Sequence, residues 1–354
     1  MLNFQGAVLT QQNQPLEILT IEHSGVLEVG QVLVKIYTSG ICGSQIGEID
    51  GVKGHDKYLP HLLGHEGAGV VQKIGPGVRK VKPGDKVVLH WRPSSGIESQ
   101  PPSFAWRDKK INAGLVTTLS QYSVVSENRV TIMPEEIDFE TAALFGCAIT
   151  TGFGVVTNDA KLKIGEALVV IGAGGIGLNI IQAASLTSAY PIIAVDLHDN
   201  RLGLAKNMGA SHVINSQNLD VKALETLILE YLKNQKVDVF IDNTGIPEII
   251  ELGYKITERE GRVVLVGVPH IDSRISIHSF PLHFGKSIVG SHGGRAQPQS
   301  DIPKYAALAD SIGIKFSDLI SQEYLLEDVN KAISDMRSGV IAGRCIIKMF
   351  PEDI

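Results

Sequence analysis

From about residue 160 the chain alternates short apolar runs with helical stretches, and this alternation constrains the fold more than any other feature. Ala167-Leu-Val-Val-Ile-Gly172 reads as a buried strand, and a helix follows from about Gly175. Ile192-Ile-Ala-Val-Asp196 is a second strand, with a helix from Asn200 to Met208 behind it. His212-Val-Ile-Asn215, Val237-Asp-Val-Phe-Ile-Asp242 and Arg262-Val-Val-Leu-Val-Gly267 continue the series. Continuously apolar strands have no face to offer water. Separated by helices, they predict a parallel, doubly wound sheet covered on both sides.

The chain ahead of this region has a different pattern. Val32-Leu-Val-Lys-Ile36, Gly69-Val-Val-Gln-Lys-Ile74 and Lys86-Val-Val-Leu89 are short β-branched runs, broken by Gly75-Pro-Gly77 and Lys82-Pro-Gly-Asp85. They predict a compact β-rich domain. A length of 354 residues fits about two domains. The tail has helical stretches near 302–309 and 326–338 and a last strand, Cys345-Ile-Ile-Lys348, and is expected to return to the first domain. The expected division is therefore 1–150 with 292–354, and 151–291.

Gly172-Ala-Gly-Gly-Ile-Gly177 matches G-x-G-x-x-G. Alone the match is weak, because structural glycine turns are common. Here it leaves a predicted strand and opens a predicted helix, the context a dinucleotide site requires. Gly172, Gly174, Gly175 and Gly177 permit a tight turn and a close backbone approach to a pyrophosphate, and the helix N-terminus favours its charge. Asp196 ends the next strand, 19 residues past Gly177. A carboxylate there accepts from ribose hydroxyls and repels a 2′-phosphate, which favours NAD over NADP. Arg201 is a counter-signal, since an arginine near this point can hold that phosphate.

The chain has three cysteines, and two of them combine with a histidine into a metal-ligand count. Cys42, His65 and Cys147 offer two thiolates and an imidazole, the set of a catalytic zinc whose fourth position is open. Each has a simpler reading: a small buried hydrophobe for either cysteine, a satisfied core residue for the histidine. Three cysteines make no disulfide framework and suit a reducing compartment, the cytoplasm.

Composition closes off other classes. The chain is 44% hydrophobic and 20% charged, so it can bury cores, and its net charge of −6 without a long basic run gives nucleic-acid binding no support. Met1-Leu-Asn-Phe-Gln-Gly6 lacks the layout of a signal peptide. Ala167 to Leu186 is apolar at about membrane-spanning length, but its central glycines fit a strand, turn and helix better, so no membrane role is expected.

Thr38-Ser-Gly-Ile-Cys42, Leu63-Gly-His-Glu-Gly-Ala-Gly-Val70, Val81-Lys-Pro-Gly-Asp-Lys-Val87 and Arg337-Ser-Gly339 resemble, in order and spacing, the zinc-dependent medium-chain alcohol dehydrogenases. The resemblance covers nearly the whole chain. It implies a GroES-like catalytic domain, a Rossmann NAD-binding domain and hydride transfer between an alcohol and NAD, giving an aldehyde or ketone. It also implies that Cys42, His65 and Cys147 hold the catalytic zinc, that Glu66 lies close to the metal, and that Ser44 passes the substrate proton away. Thr151 and Ile176 would pack around the nicotinamide, and backbone groups of Val266 and Val268 would hold its carboxamide. Arg344 would pair with the pyrophosphate, and Trp91, with His90 beside it, would line the substrate pocket. A homodimer or homotetramer acting on a small alcohol or carbonyl compound follows from the same resemblance.

The chain also departs from the family. Many members hold a second, structural zinc with four closely spaced cysteines after the Gly-Asp-Lys turn, and this chain has none there, so one zinc per chain is expected. Gln45 stands where an aspartate often orients the ligand histidine; its amide oxygen is expected to accept that N–H. Gly47 replaces a histidine that ends the proton relay in some members, leaving Glu48, His55 or bulk water. His90, Trp91, Arg92, Trp106, Arg107 and Lys109 give the following segment polar and stacking groups, so a loop lining the pocket would favour a polyol or sugar-type substrate. Two other readings are a zinc-free enone or quinone reductase of the same superfamily and a non-catalytic nucleotide-binding relative. The ligand set argues against the first, and Ser44 with an intact ligand set against the second.

Overall fold

The computed structural model describes residues 1–233 and 235–350 and separates them into two units, Met1–Thr150 with the chain from Gln297 onward, and Thr151–Ala296. The first unit opens with β1 (Leu2–Leu9), β2 (Glu17–His23), β3 (Gln31–Gly40) and the short helix α1 (Gly43–Ile49). Then come β4 (His61–Leu62), β5 (Glu66–Ile74), β6 (Lys86–His90), β7 (Ser103–Trp106), β8 (Lys109–Asn112), β9 (Tyr122–Ser126), β10 (Val130–Ile132), α2 (Phe139–Phe145) and α3 (Ala148–Gly154). Five of these strands close a barrel in the order β1-β2-β7-β8-β4. Alternation along β1 buries Phe4 and Val8 inside it with Ile21, Leu62, Phe104 and Ile111.

The segment expected to be a loop over the pocket is therefore partly a hairpin. Ser103 pairs with Asn112 and Trp106 with Lys109 through a two-residue turn, in which Arg107 takes φ 56°. The hairpin fills a place in the barrel wall, and Trp106 is flanked there by Arg107 at 4.9 Å and Lys109 at 5.6 Å.

The second unit carries out the alternation: β11 (Leu168–Ile171), α4 (Gly175–Leu186), β12 (Ile192–Asp196), α5 (Asp199–Asn207), β13 (His212–Asn215), α6 (Val221–Tyr231), β14 (Val237–Asp242), α7 (Pro247–Ile256), β15 (Thr257–Leu265) and β16 (Ser287–Gly290). All pair in parallel, in the order β13-β12-β11-β14-β15-β16. The order reverses between β11 and β14, and β11 leads into the glycine turn, where doubly wound sheets bind ligands. Val169, Ile193, Phe240 and Val263 form its core with Leu224 and Ile228 of α6. The apolar stretch Ala167 to Leu186 is thus a strand and a helix. No single helix among the described residues is long and apolar enough to cross a membrane.

The chain then continues through α8 (Pro298–Ile312), β17 (Ile320–Leu325), α9 (Val329–Arg337) and β18 (Arg344–Lys348). β18 pairs antiparallel with β3, Ile346 opposite Gly40, and β17 extends that sheet in parallel. The tail thereby completes the second sheet of the first unit, β10-β6-β5-β3-β18-β17, with β9 also on β3. Sequence reading found β18 but not β17, whose Ile320-Ser-Gln-Glu-Tyr-Leu325 carries three consecutive polar residues because only Tyr324 turns fully inward.

Candidate functional site

The pairing of β3 with β5 sets up the candidate metal centre. Ser39 lies opposite Gly67, so the outgoing end of β3 and the incoming end of β5 run side by side, and Cys42 and His65 sit just beyond those ends. Gly64 takes φ 100°, and a Cβ there would stand 2.5–2.6 Å from Thr118 Oγ1 and the backbone nitrogens of Thr118 and Leu119. Only glycine makes this turn, which swings the chain into His65. Behind it the Glu66 carbonyl accepts from Ser39 Oγ at 3.1 Å and Thr118 Oγ1 at 3.0 Å, which fixes the backbone beside the histidine. Cys147 arrives after α2. At Gly146 an added Cβ would lie 2.3 Å from the Leu89 carbonyl and 2.8 Å from Glu66 Cα, so the absence of a side chain lets this turn press onto β5 and β6.

The result is one cluster. The ligand atoms of Cys42, His65 and Cys147 lie within 4.8 Å of one another, with both cysteines buried and the histidine half-buried. His65 Nε2 is buried without a hydrogen-bond partner among the described residues. An orphaned imidazole nitrogen between two sulfurs is costly unless a cation occupies the gap. The Cys147 thiol, hydrogen-bonding to Cys42, holds the Cys42 thiol well below the usual cysteine range against the opposing effect of burial, and His65 and Arg344 add to it. Two soft sulfurs and an imidazole fit Zn²⁺ in kind and number, with one position left for substrate.

Around this cluster the expected residues fall into place unevenly. Ser44 is half-buried in the first turn of α1, two residues past Cys42. Glu66 is fully buried and ion-paired with Arg344, itself 4% exposed. The guanidinium expected at a pyrophosphate is therefore engaged with Glu66 in this structure. Gln45 is 2% exposed, and its Oε1 has no partner among the described residues, so the expected bond from His65 is not made. Trp91 stands with its ring 6.4 Å from that of His65. Its carbonyl accepts from Arg129, which also pairs with Glu98 at 2.8 Å; sequence reading gave no sign of this brace.

His90 does not line a pocket, and this corrects the expectation. It is completely buried opposite Glu66, with Nδ1 2.7 Å from the Arg92 carbonyl and Nε2 2.9 Å from Thr131 Oγ1. A neutral ring donating from Nδ1 and accepting at Nε2 satisfies both contacts. Burial pushes its pKa down to about 4, despite the opposing hydrogen bond to the Arg92 carbonyl. Residues 94–99 are likewise tied to the protein: Ser94 N–H donates to the Asn128 carbonyl at 2.8 Å, and Ser99 N–H to Ser126 Oγ at 2.8 Å.

A cavity of about 560 Å³ lies in this unit instead, walled by α1, residues 51–65 and residues 113–117. His65, Gln45 and Glu48 face it, as does His61, whose Nε2 is 2.7 Å from Asp56. Thr117 also lines it, in a stretch that carries no motif and is reached only through the fold.

In the second unit Gly177 is buried, and a Cβ on it would stand 2.0 Å from the Gly172 carbonyl oxygen. Gly174, the N-cap of α4, has open space where a Cβ would be, and no side chain caps the helix. The N–H groups of this 12-residue helix start are thus left for an anion. Asp196 is 7% exposed, accepting from Ala173 N–H at 2.8 Å and His198 N–H at 3.0 Å. Arg201 lies 3.8 Å from Asp196, so its charge is directed at a carboxylate. The turn fits a dinucleotide pyrophosphate. Ile176 is half-buried beside it, and Thr151 is 4% exposed with its hydroxyl unpartnered among the described residues. Val266 donates its N–H to the Asp242 carbonyl at 2.8 Å, and Val268 is 56% exposed.

Known proteins agree with this geometry. Residues 28–135 match the alcohol dehydrogenase GroES-like domain, and residues 175–311 match the zinc-binding dehydrogenase domain. The chain is 30% identical to S-(hydroxymethyl)glutathione dehydrogenase of Paracoccus denitrificans, over 95% of this chain and 97% of that one. It is 29% identical to alcohol dehydrogenase 6 of Peromyscus maniculatus, over 98% of each. The solved structure of benzyl alcohol dehydrogenase from Acinetobacter calcoaceticus superposes with a TM-score of 0.87 at 28% identity, over 99% of this chain and 100% of that one. By this likeness over its whole length, the chain belongs to the zinc-dependent medium-chain alcohol dehydrogenases and is an oxidoreductase of that family.

Proposed function

We propose that the protein interconverts a small alcohol and its carbonyl compound with NAD, using a single zinc held by Cys42, His65 and Cys147. The observation that carries this reading is the convergence of those three side chains around the orphaned His65 Nε2. Zinc there would supply Lewis acidity to a hydroxyl at its open position, and NAD would accept the hydride.

The protein's own groups do the rest. Ser44 Oγ takes the hydroxyl proton as it gives up its own. Glu48 follows Ser44 by one helical turn, on the same face of α1, and lines the cavity; we assign it the proton in place of the histidine that Gly47 removes. Trp91, braced by Arg129, screens His65 from water. The Glu66–Arg344 pair keeps a carboxylate beside the ligands without a net buried charge. The turn at Gly172–Gly177 takes the pyrophosphate and Asp196 the ribose hydroxyls, which selects NAD over NADP.

Two coarser points follow. Ile271, Phe280 and Phe284, 66%, 61% and 41% exposed, belong to the chain leading into the edge strand β16, which supports a homodimer or homotetramer built on this edge. The three cysteines are free, which suits the cytoplasm. The test is zinc content together with NADH formation from a panel of alcohols, and the molar mass in solution. One zinc per chain with NADH formation is expected. Zinc-free protein that reduces enones, or zinc-loaded protein inert to every alcohol, would overturn the reading.

A further inference from the structure

The cavity beside His65 contains polar groups that the reaction does not use. Gln45 and Thr117 both line it, 2% and 3% exposed. Neither Gln45 Oε1 nor Thr117 Oγ1 has a hydrogen-bond partner among the described residues. Leaving such an atom dry and unpaired forfeits its full hydration, and buried polar atoms in native proteins are nearly always satisfied by protein, water or ligand. Two of them on the same cavity as a metal ligand mark a place built for a ligand's polar atoms.

Their chemistry narrows the ligand. The Gln45 amide oxygen only accepts, whereas the Thr117 hydroxyl donates as well. A hydroxyl is a small neutral group that answers both, donating to Gln45 Oε1 and accepting from Thr117 Oγ1. The reacting hydroxyl belongs at the metal's open position and cannot also serve here. The cavity, at about 560 Å³, has room for more than a two-carbon alcohol.

We infer that Gln45 and Thr117 form a subsite for a second hydroxyl of the substrate, so that the protein acts on diols or polyols in preference to simple alkanols. This rests on the alcohol dehydrogenase reading above, and it replaces the polyol expectation drawn from residues 90–109, which form strand and tethered loop. A site that hydrogen-bonds a substrate hydroxyl leaves its own groups unpaired when the hydroxyl is missing, and so discriminates strongly.

The test compares 1,2-hexanediol with 1-hexanol on zinc-loaded protein with NAD. A kcat/KM ratio of about 100 or more in favour of the diol is expected. Thr117→Val and Gln45→Leu should bring the ratio toward one, chiefly through KM, while Thr117→Ser keeps it, which separates the hydroxyl from a general packing defect. A second readout is free of turnover: calorimetric binding of 1,2-hexanediol to the zinc protein without NAD, weakened about tenfold or more by Thr117→Val. Equal efficiency on both alcohols would overturn the subsite and leave the dehydrogenase reading standing. Inactivity toward both would sink the dehydrogenase reading, and the binding measurement would still decide the subsite: equal binding by the wild type and Thr117→Val means water alone fills it.

Discussion

The glycine turn of one unit and the metal centre of the other both depend on backbone packed against backbone, but they are assembled in opposite ways. The turn is one run, Gly172 to Gly177, closed by the contact of Gly177 with the Gly172 carbonyl and finished by Asp196 on the next strand. The metal centre draws Cys42, His65 and Cys147 from three segments, brought together by the β3–β5 pairing and by Gly146 pressed onto Leu89 and Glu66. A contiguous site is a shape, so a single methyl group can break it. An assembled site is a donor set on a scaffold that stands without it, so changing a donor removes the chemistry and spares the fold.

The largest effect should follow from a donor. Cys147→Ser exchanges a thiolate for a hydroxyl, a poor zinc ligand. We expect bound zinc to fall well below one per chain and alcohol oxidation to drop roughly a thousandfold or more, since Lewis-acid assistance is worth several kcal/mol. The circular dichroism spectrum should not change. Full zinc content and rate in the variant would take Cys147 out of the ligand set.

Next comes the shape. In Gly177→Ala the new Cβ meets a carbonyl oxygen at 2.0 Å, and backbone on both sides has nowhere to go. A loss of roughly 2–3 kcal/mol in urea unfolding is expected. Gly174→Ala meets nothing within 4 Å and should leave the unfolding curve in place while weakening NAD binding, because the methyl would stand where the proposed pyrophosphate site needs open space. If Gly174→Ala unfolds the protein and Gly177→Ala does not, the contrast drawn between the two sites is wrong. Asp196→Asn should act more mildly. It loses the charge proposed to face the ribose, which is also the carboxylate charge 3.8 Å from Arg201, so NAD affinity should fall about tenfold and the preference over NADP shrink, as read by titration of each nucleotide. An unchanged preference would take Asp196 out of nucleotide selection.

How far each site was legible follows from the same contrast. The glycine turn, Asp196 and the strand alternation are local patterns, and local patterns survive in a sequence without coordinates. The convergence of the candidate metal ligands was legible because cysteines are few and each sits in a short motif. What surrounds them was not. His65 and His90 flank the same strand junction, since Glu66 lies opposite His90, yet one ring has an orphaned nitrogen and the other has both engaged. Only the partners Thr131 and Arg92 separate them, and no spacing rule finds those partners. Thr117 and Gln45 came to line one cavity together with residues 51–65 through the fold, a long-range event with no periodicity. Residues 103–112 looked like a pocket loop because they are polar and aromatic. As a hairpin in a barrel wall they need only Phe104 and Ile111 inside, so most of the segment is free to be charged.

The smallest effect concerns what holds residues 94–99 where the chain has no second cysteine cluster. Glu127 is 3% exposed and accepts from Arg79 N–H at 2.6 Å, Lys80 N–H at 2.9 Å and Ile97 N–H at 2.9 Å. Burial pushes its carboxyl up, but the three N–H groups and the Lys80 charge outweigh burial and hold it below the ordinary carboxylate range. The folded pKa therefore lies below the unfolded one. Its stabilisation is complete above the unfolded value, about 4.3, and is lost as the pH falls through the depressed folded value. Glu127→Gln keeps the shape but turns one acceptor into a donor and removes the charge, so a loss of about 1–2 kcal/mol is expected at pH 7. That loss should shrink as the pH is lowered below about 4, where the wild type also loses its charge. Urea midpoints at pH 7 and pH 3.5 measure both. A difference that stays constant between them would mean that the contacts of Glu127 matter and its charge does not.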